Sequence, residues 1–341
     1  MKLKVIMCMA CISIVLSAKS DETPQRQNPA KGTEPGIHVA KFKGDCKAAI
    51  SFTFDDAFYD QWELAVPMLE KYGIKATFFV TTAVISDETE GLPQKHIRNF
   101  RYMGWKNLRK IAGMGHELGN HSSVHVGYTH VKDDNELVKY ITDAHKLISE
   151  NTGFTPVSFC YPGNDRDGRA RAIVHRYYDF TREYQWVYGG DNFSTSADMN
   201  RDLDSFIKEG KWIVPMIHGI TEHYQHFPKL EILDEHLKFV KSRENELWID
   251  TFGNVGRYAG ERDTSVLNTK ISEKRIEFTL TCPLKADLYN FPLTVIIPAP
   301  GEKKHLKAAR DSKPIDSVKV FKDRILLDVV PGQSPVIVTW E

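Results

Sequence analysis

The residues of this chain that could do chemistry lie where apolar segments end. The run 50–54 alternates bulky and polar residues and stops at two adjacent carboxylates, Asp55 and Asp56. Adjacent side chains on a regular strand point to opposite faces, so both acids can serve one site only where the strand breaks into a loop. Catalytic groups gather at the carboxyl ends of parallel barrel strands. The pair is therefore placed for function, and the alternative is that it caps the helix that begins near Gln61.

Two histidines four residues apart, His121 and His125, form a second cluster. On one helical turn their imidazoles lie on the same side and can bind a single ion. The chain has 13 histidines, so such a spacing also arises by chance. A carboxylate from Asp55 or Asp56 would complete a set of two histidines and one acid, which leaves positions open for water and substrate. Zinc is the first expectation for this set, and iron, cobalt and nickel are the alternatives.

A third candidate, His218, is the first polar side chain after the mostly apolar segment 212–217. The unperturbed pKa of an imidazole, about 6.5, allows it to donate a proton to a leaving group near neutrality. The alternative is a buried histidine bonded to a backbone carbonyl. Segment 159–164 also leads from a predicted strand into a glycine-containing loop, where exposed backbone N–H groups can face an oxyanion.

Length and charge limit the classes of protein that can carry these groups. A chain of 341 residues suffices for about two domains with hydrophobic cores. Lys and Arg number 45 together, as do Asp and Glu, so no single-sign field exists to hold nucleic acid or an anionic membrane. Hydrophobic residues at 41% exclude a disordered chain.

The first 20 residues are typical of a secretory signal, with a basic start, a short apolar core and a small-x-small cleavage site. The core is too short for a membrane span, although an uncleaved anchor helix is the alternative. We expect export to the periplasm, the cell surface or the medium, with no transmembrane segment after signal removal. A flexible leader is expected over 21–43. Cys46, Cys160 and Cys282 remain, and their odd number and wide spacing favour free thiols over a disulfide framework.

Strand and helix patterns alternate over 44–261, which predicts a parallel α/β barrel. Seven strands are predicted, at 48–55, 75–81, 116–120, 157–161, 179–183, 212–218 and 247–251. Helices are predicted between them, at 105–113, 135–150, 169–178 and 230–243. A doubly wound sheet alternates in the same way, but no Gly-x-Gly-x-x-Gly turn follows a strand. From 262 to 341 short β-rich runs predict a small sandwich-like domain that either braces the barrel or binds sugar.

Taken in order, four of these blocks resemble the motifs of the polysaccharide deacetylase family, which shares the NodB-homology domain. The blocks are Thr53-Phe54-Asp55-Asp56, His121-Ser122-Ser123-Val124-His125, the segment 159–164, and Met216-Ile217-His218. The resemblance spans 47–255 and implies a distorted seven-stranded (β/α) barrel.

The resemblance also implies roles. Asp55 would be the general base, and His218 the general acid. A divalent metal would be held by three residues: Asp56, His121 and His125. Backbone N–H groups near Tyr161 to Gly163 would stabilise the oxyanion.

The sequence departs from the family pattern at two positions. Cys160 stands where the third motif usually carries an arginine that orients the base, with Arg166 or Arg169 as candidates to replace it. The second departure is in the fourth motif, an acidic group that pairs with the acid histidine, which is not clear in residues 188–193. We assign this role to Asp191, with Asp202 as the second choice.

Three aromatic residues lie near the predicted site loops and are candidates for stacking on a sugar, although most large aromatics belong to the core. These are Trp186, Tyr188 and Trp212. The leading hypothesis is a metal-dependent hydrolase that removes N-acetyl or O-acetyl groups from a glycan. One alternative is hydrolysis of another non-peptide C–N bond on the same barrel. The other is a carbohydrate-binding protein that has kept the metal site but lost turnover.

Overall fold

The structure is a computed structural model that describes residues 36–95, 98–191, 193–299 and 304–341. The expected signal, 1–20, and the first part of the expected leader lie outside these residues. No helix in the described part of the chain is long and apolar enough to cross a membrane. Cys46, Cys160 and Cys282 are free thiols, as the sequence favours.

The first part of the chain builds parallel sheets flanked by helices. Its strands are β2 (Ala48–Ile50), β3 (Thr53–Asp55), β4 (Thr77–Val80), β5 (Glu117–Asn120), β6 (Ser158–Cys160), β7 (Phe180–Arg182), β8 (Trp186–Val187), β9 (Trp212–Ile213), β10 (Pro215–Ile217) and β11 (Leu247–Ile249). Its helices are α1 (Val66–Lys71), α2 (Trp105–Gly113), α3 (Asp134–Thr152), α4 (Gly168–Val174), α5 (Ser196–Glu209), α6 (Leu230–Ser242) and α7 (Phe252–Thr264).

Seven parallel strands form a curled sheet in the order β7-β6-β5-β4-β3-β10-β8. A second parallel sheet has the order β11-β2-β9 and continues the curl, because β2 and β3, like β9 and β10, are the two halves of one interrupted strand. Every residue of β4 and β5 is buried, as expected for parallel strands covered by helices. The predicted α/β architecture, a distorted seven-stranded barrel, is confirmed.

Three elements of this region are not among those that the sequence patterns predict. They are β8, which has only two residues, α5, and α7, whose three glycines oppose helix formation. Packing explains the glycines of α7: a Cβ on Gly253 would lie 2.6 Å from Glu117 Oε1, and one on Gly260 would lie 2.9 Å from the Tyr289 ring. The helix therefore forms because its close contacts favour it over its own propensity.

After Thr264 the chain is all-β, in agreement with the β-rich prediction. The strands are β12 (Val266–Ser272), β13 (Arg275–Thr281), β14 (Leu293–Pro298), β15 (Lys307–Arg310), β16 (Lys313–Pro314), β17 (Lys319–Val320), β18 (Arg324–Val329) and β19 (Gly332–Thr339). They form two antiparallel sheets. One has the order β12-β13-β19-β15-β16, and the other joins β14, β18 and β17 to an N-terminal strand, β1 (His38–Val39). The flexible leader expected over 21–43 therefore does not extend to these two residues.

Candidate active site

The break after β3 turns both acids toward one mouth of the barrel. Asp55 ends the strand and is 1% exposed. The next two residues, Asp56 and Ala57, have φ of 71° and 55°, a left-handed conformation that ends the strand's alternation. The helix-cap alternative is wrong, because the following helical segment starts at Gln61 with Asp60 as its N-cap residue.

The predicted metal ligands converge. His121 Nε2 lies 3.5 Å and His125 Nε2 3.4 Å from Asp56 Oδ1. The spacing suggested that the two histidines lie on one helical turn. Instead, they follow β5 in a loop that turns at Ser122, where φ is 72°. Asp56 Oδ1 is buried and has no hydrogen-bond partner. A buried carboxylate oxygen facing two imidazole nitrogens fits a divalent cation held by Asp56, His121 and His125.

A backbone contact selects the tautomer of His121. Its Nδ1 donates to the carbonyl oxygen of Cys160 at 2.8 Å, so Nε2 is left with its lone pair toward Asp56. Burial lowers the pKa of His121, although Asp55 and Asp56 oppose this effect. The neutral imidazole is the form that binds a metal. His125, by contrast, has a side chain that is 45% exposed and faces the opening.

The base candidate Asp55 is held by an arginine that the sequence patterns did not indicate. Arg182 Nη1 donates to Asp55 Oδ1 at 2.9 Å, and its Nη2 donates to Asp55 Oδ2. Arg182 Nη1 also donates to Thr53 Oγ1 at 2.6 Å. Burial disfavours the ionised form of Asp55 and would raise its pKa. The charge of Arg182, together with His121 and His218, outweighs this effect and holds the pKa of the carboxyl below its usual value. Asp55 is therefore a carboxylate ready to accept a proton.

Neither arginine suggested as a replacement reaches the base. Arg166 donates to the carbonyl and the side chain of Asn164 and to the carbonyl of Glu183. Arg169 pairs with Asp134 and donates to backbone carbonyls. Both hold surface segments in place.

His218 lies beside the candidate metal ligands. Its Nε2 is 3.9 Å from Asp56 Oδ2. Gln61 Nε2 donates to the carbonyls of both Asp55 and His218, at 2.7 and 2.9 Å, and so links the ends of β3 and β10. The ring of His226 lies 5.5 Å from that of His218.

The acid assigned to His218 is not found beside it. Asp191 is exposed and makes no hydrogen bond or ion pair with His218 among the described residues. Asp202 accepts instead from Trp186 Nε1 at 2.9 Å and from the Tyr188 hydroxyl at 3.2 Å. The structure therefore brings neither acid into contact with His218.

The third-motif loop starts next to the metal ligands. The peptide that gives His121 its acceptor, the Cys160 carbonyl, also carries the N–H of Tyr161. The Tyr161 side chain is fully buried against Phe159 and is not a substrate contact. Gly163 is exposed with φ of 59°. Pro162 has no N–H, and the N–H of Asn164 donates to the Tyr161 carbonyl at 2.9 Å. The candidate backbone donors near this turn are therefore the N–H groups of Tyr161 and Gly163.

The aromatic residues at the mouth differ from those expected. Tyr188 and Trp212 are buried, and Trp186 packs on the Phe206 ring of α5 at 5.5 Å, so none of the three lines the opening. Tyr224 does. It is 56% exposed, and its ring lies 4.9 Å from the His218 ring. No strand or helix period marks Tyr224, because it lies in a loop.

With this geometry in view, the family follows from comparison with known proteins. A family model described as polysaccharide deacetylase matches residues 43–178, which include Asp55, Asp56 and the histidine pair. The region 43–178 of this chain belongs to the polysaccharide deacetylase family. The resemblance read from the motifs is confirmed.

Individual proteins to which this chain is similar are distant. An acetyl xylan esterase of family 4 from Clostridium thermocellum, solved with a cobalt ion, is 22% identical, covering 61% of this chain and 89% of that one, with a TM-score of 0.43. A putative polysaccharide deacetylase from Mycobacterium smegmatis is 15% identical, covering 70% and 99%, with a TM-score of 0.49. A gellan lyase from a Bacillus species is 22% identical over 94% of this chain, which spans 14% of that protein's length.

Proposed function

We propose that this protein is a divalent-metal-dependent deacetylase that hydrolyses N-acetyl or O-acetyl groups of a glycan. One observation carries the proposal: the buried carboxylate of Asp55, the cluster Asp56, His121 and His125, and the imidazole of His218 all meet at one mouth of the barrel. The match of residues 43–178 to the polysaccharide deacetylase family supports it.

The protein groups have complementary tasks. Asp55 accepts a proton from the attacking water, whose oxygen bonds to the acetyl carbonyl carbon. When bound, the divalent cation would polarise that carbonyl. Backbone N–H groups of Tyr161 and Gly163 are the candidate donors to the oxygen on which charge develops. His218 then donates a proton to the leaving nitrogen or oxygen as its bond to the acetyl carbon breaks, and acetate is released.

The donor set also indicates which metals to test. Two imidazoles and one carboxylate suit zinc first, and cobalt, nickel and iron are the alternatives. The neutral state of His121 favours binding at neutral pH, because no proton must leave its Nε2.

Two features favour the alternative of a silent binding protein: Cys160 at the position of the motif arginine, and the lack of contact between His218 and either Asp191 or Asp202. The ion pair of Asp55 with Arg182 weakens the first reason, because the base is held despite the cysteine. We therefore favour the enzyme.

The decisive experiment measures acetate released from O-acetylated xylan and from N-acetylglucosamine oligomers. We expect release from one of them, its loss after chelation, and its return on addition of zinc or cobalt. Asp56→Ala is the matched control, since metal should not restore it. Release that persists in chelator, or metal and glycan binding without acetate, would refute the proposal.

A further inference from the structure

Cys160 and Arg182 occupy equivalent positions on neighbouring strands. β6 and β7 are parallel, and these two residues are register partners. Partners in a parallel pair point to the same face. Here the shared face is the barrel interior, where Arg182 Nη2 lies 2.8 Å from Cys160 Sγ. The guanidinium thus passes directly over the cysteine on its way to Asp55.

The contacts of Arg182 leave its guanidinium little freedom. Its side chain is 3% exposed, that of Asp55 is 2% exposed, and the two form a two-pronged pair. The guanidinium also lies over the Phe79 ring, 5.1 Å from its centroid. A planar fork of this kind fixes the orientation of a carboxylate, which a point charge does not.

We propose that Arg182 is the positioning residue for the base Asp55, and that it supplies from β7 the guanidinium that the family pattern places at position 160. Cys160 makes this move of the guanidinium from position 160 to position 182 possible, because its small side chain leaves the space that Arg182 fills. Burial raises the pKa of the Cys160 thiol, so it stays neutral and adds no second charge. The inference rests on the proposed function and names how its base is held.

Two substitutions of Arg182 test the role. Arg182→Met should lower kcat by about 100-fold, the scale of a misplaced catalytic group, with KM and the Kd for zinc changed less than about threefold. Arg182→Lys should recover only part of the loss, since an ammonium cannot bind both oxygens in plane. Arg201→Met is the matched control, because that side chain is 72% exposed and pairs with Asp198 within α5.

Moving the guanidinium is the sharper test. Cys160→Arg alone should lower both kcat and thermal stability, because two guanidinium groups would share one buried site. The double variant Cys160→Arg with Arg182→Cys should regain kcat to within about tenfold of wild type, and should be more stable than either single variant.

The outcomes separate this inference from the proposed function. If wild type releases acetate and Arg182→Met keeps its kcat, Arg182 has no positioning role and the inference is wrong, while the function stands. If wild type releases no acetate, the proposed function fails, and the stability of the double variant still decides whether positions 160 and 182 share one guanidinium site. A double variant no more stable than its parents would overturn that point.

A second inference concerns the loop 219–226, which presents Tyr224. Three successive residues, His223, Tyr224 and Gln225, have φ of 44°, 72° and 43°. Non-glycine residues adopt this conformation only where their surroundings impose it, and such strain clusters at functional sites.

Several contacts impose the conformation. Asp60 Oδ2 accepts three successive backbone N–H groups, those of Ile220, Thr221 and Glu222, at 2.7 to 3.1 Å. Arg101 holds the Glu222 carboxylate with Nε and Nη2 at 2.8 and 2.7 Å. The result is a fixed loop that exposes one large ring beside His218.

We infer that Tyr224 is a stacking platform for the pyranose ring that carries or neighbours the acetyl group. The Tyr224 ring also lies 6.1 Å from the rings of Phe58 and Phe100 and 6.5 Å from that of His226. These contacts still leave the residue 56% exposed, enough aromatic surface for a sugar ring to stack on. This too rests on the proposed function.

Tyr224→Ala should raise KM for the acetylated oligosaccharide about tenfold, the scale of one lost aromatic contact, and should raise it much more than KM for p-nitrophenyl acetate, which has no sugar. Tyr224→Trp should keep the oligosaccharide KM. Tyr177→Ala is the control, since Tyr177 is 46% exposed and lies after α4. An unchanged oligosaccharide KM, or an equal loss on both substrates, would overturn the platform.

Discussion

The barrel mouth and the interface between the barrel and the C-terminal sheets, here called the joint, each bury a carboxyl group. The pKa values of the two carboxyl groups are shifted in opposite directions. Asp55 at the mouth is 1% exposed, and Glu261 of α7 at the joint is fully buried. The pKa of Asp55 is held low, whereas burial raises the pKa of Glu261 to about 7. Asp55 has the two-pronged Arg182, but Glu261 accepts one N–H, from Phe291, and its Oε2 has no partner.

The comparison shows that the buried partner, rather than burial itself, decides whether a carboxyl stays charged. The mouth keeps a charge that chemistry needs. At the joint no charge is needed, and apolar rings dominate: Trp248 packs on Tyr258 and on Phe291.

The joint nevertheless reaches the strand that supplies Arg182. The ring of Tyr289 packs on Phe180 of β7 at 5.6 Å, and its hydroxyl donates to Asp179 Oδ2 at 3.1 Å. Arg182 is two residues further along this strand. The contacts favour the bracing role over sugar binding for the C-terminal sheets. Variants at the mouth should therefore have their main effect on activity, and variants at the joint their main effect on stability.

The largest effect is expected from the metal ligands. Asp56→Ala or His121→Ala should lower zinc affinity by at least ~100-fold, since even residues that only orient ligands contribute 10- to 100-fold, and acetate release should fall in step. Calorimetric titration with zinc checks this. His130→Ala is the control, since its ring is 84% exposed and faces Asp165. Unchanged zinc affinity in both ligand variants would place the metal elsewhere.

Asp55→Asn should separate chemistry from metal binding. We expect kcat to fall by ~10²- to 10⁴-fold, the usual contribution of a general base, with zinc still bound. The variant should also lose about 3–5 kcal/mol of unfolding free energy, because it leaves the charge of Arg182 buried and unpaired. Urea unfolding with and without zinc measures this loss. An Asp55→Asn variant as stable as wild type would contradict the ion pair.

How much of this site the sequence predicts depends on whether local structure or the curvature of the whole sheet positions each residue. Asp56, His121 and His125 are placed by strand ends and short loops, so spacing and the family motifs identified them. Arg182 escaped, because its pairing with Asp55 depends on the curl of a sheet in which three strands separate β7 from β3. One signal was present: alternation puts Arg182 on the same inward face as Phe180, and an inward arginine needs a buried acid.

At the joint, Glu261→Gln should change the pH dependence of stability. Because the folded pKa is about 7 and the ordinary value 4.5, the folded state holds the proton more tightly. The stability that this provides is complete below pH 4.5 and is lost as pH rises through 7, by up to about 3 kcal/mol. Glutamine stays neutral, so the variant should lack this loss, and its stability relative to wild type should increase from about pH 5 to about pH 8.

Parallel stability curves for the two proteins would mean that Glu261 does not titrate in this range. Acetate release at a fixed pH should stay within about twofold of wild type, since α7 lies outside the mouth.

The smallest effect is expected from Tyr289→Phe, which keeps the ring on Phe180 and removes only the hydroxyl that donates to Asp179. We expect a loss of about 0.5–1.5 kcal/mol in unfolding free energy, the usual worth of one such bond. Tyr289→Ala should cost more, since it also removes the ring, about 3–5 kcal/mol. If the joint braces β7, Tyr289→Ala should lower kcat as well, because Arg182 lies two residues beyond Phe180, whereas Tyr289→Phe should leave kcat unchanged. A kcat that is insensitive to both changes would show that the mouth holds its geometry without the joint.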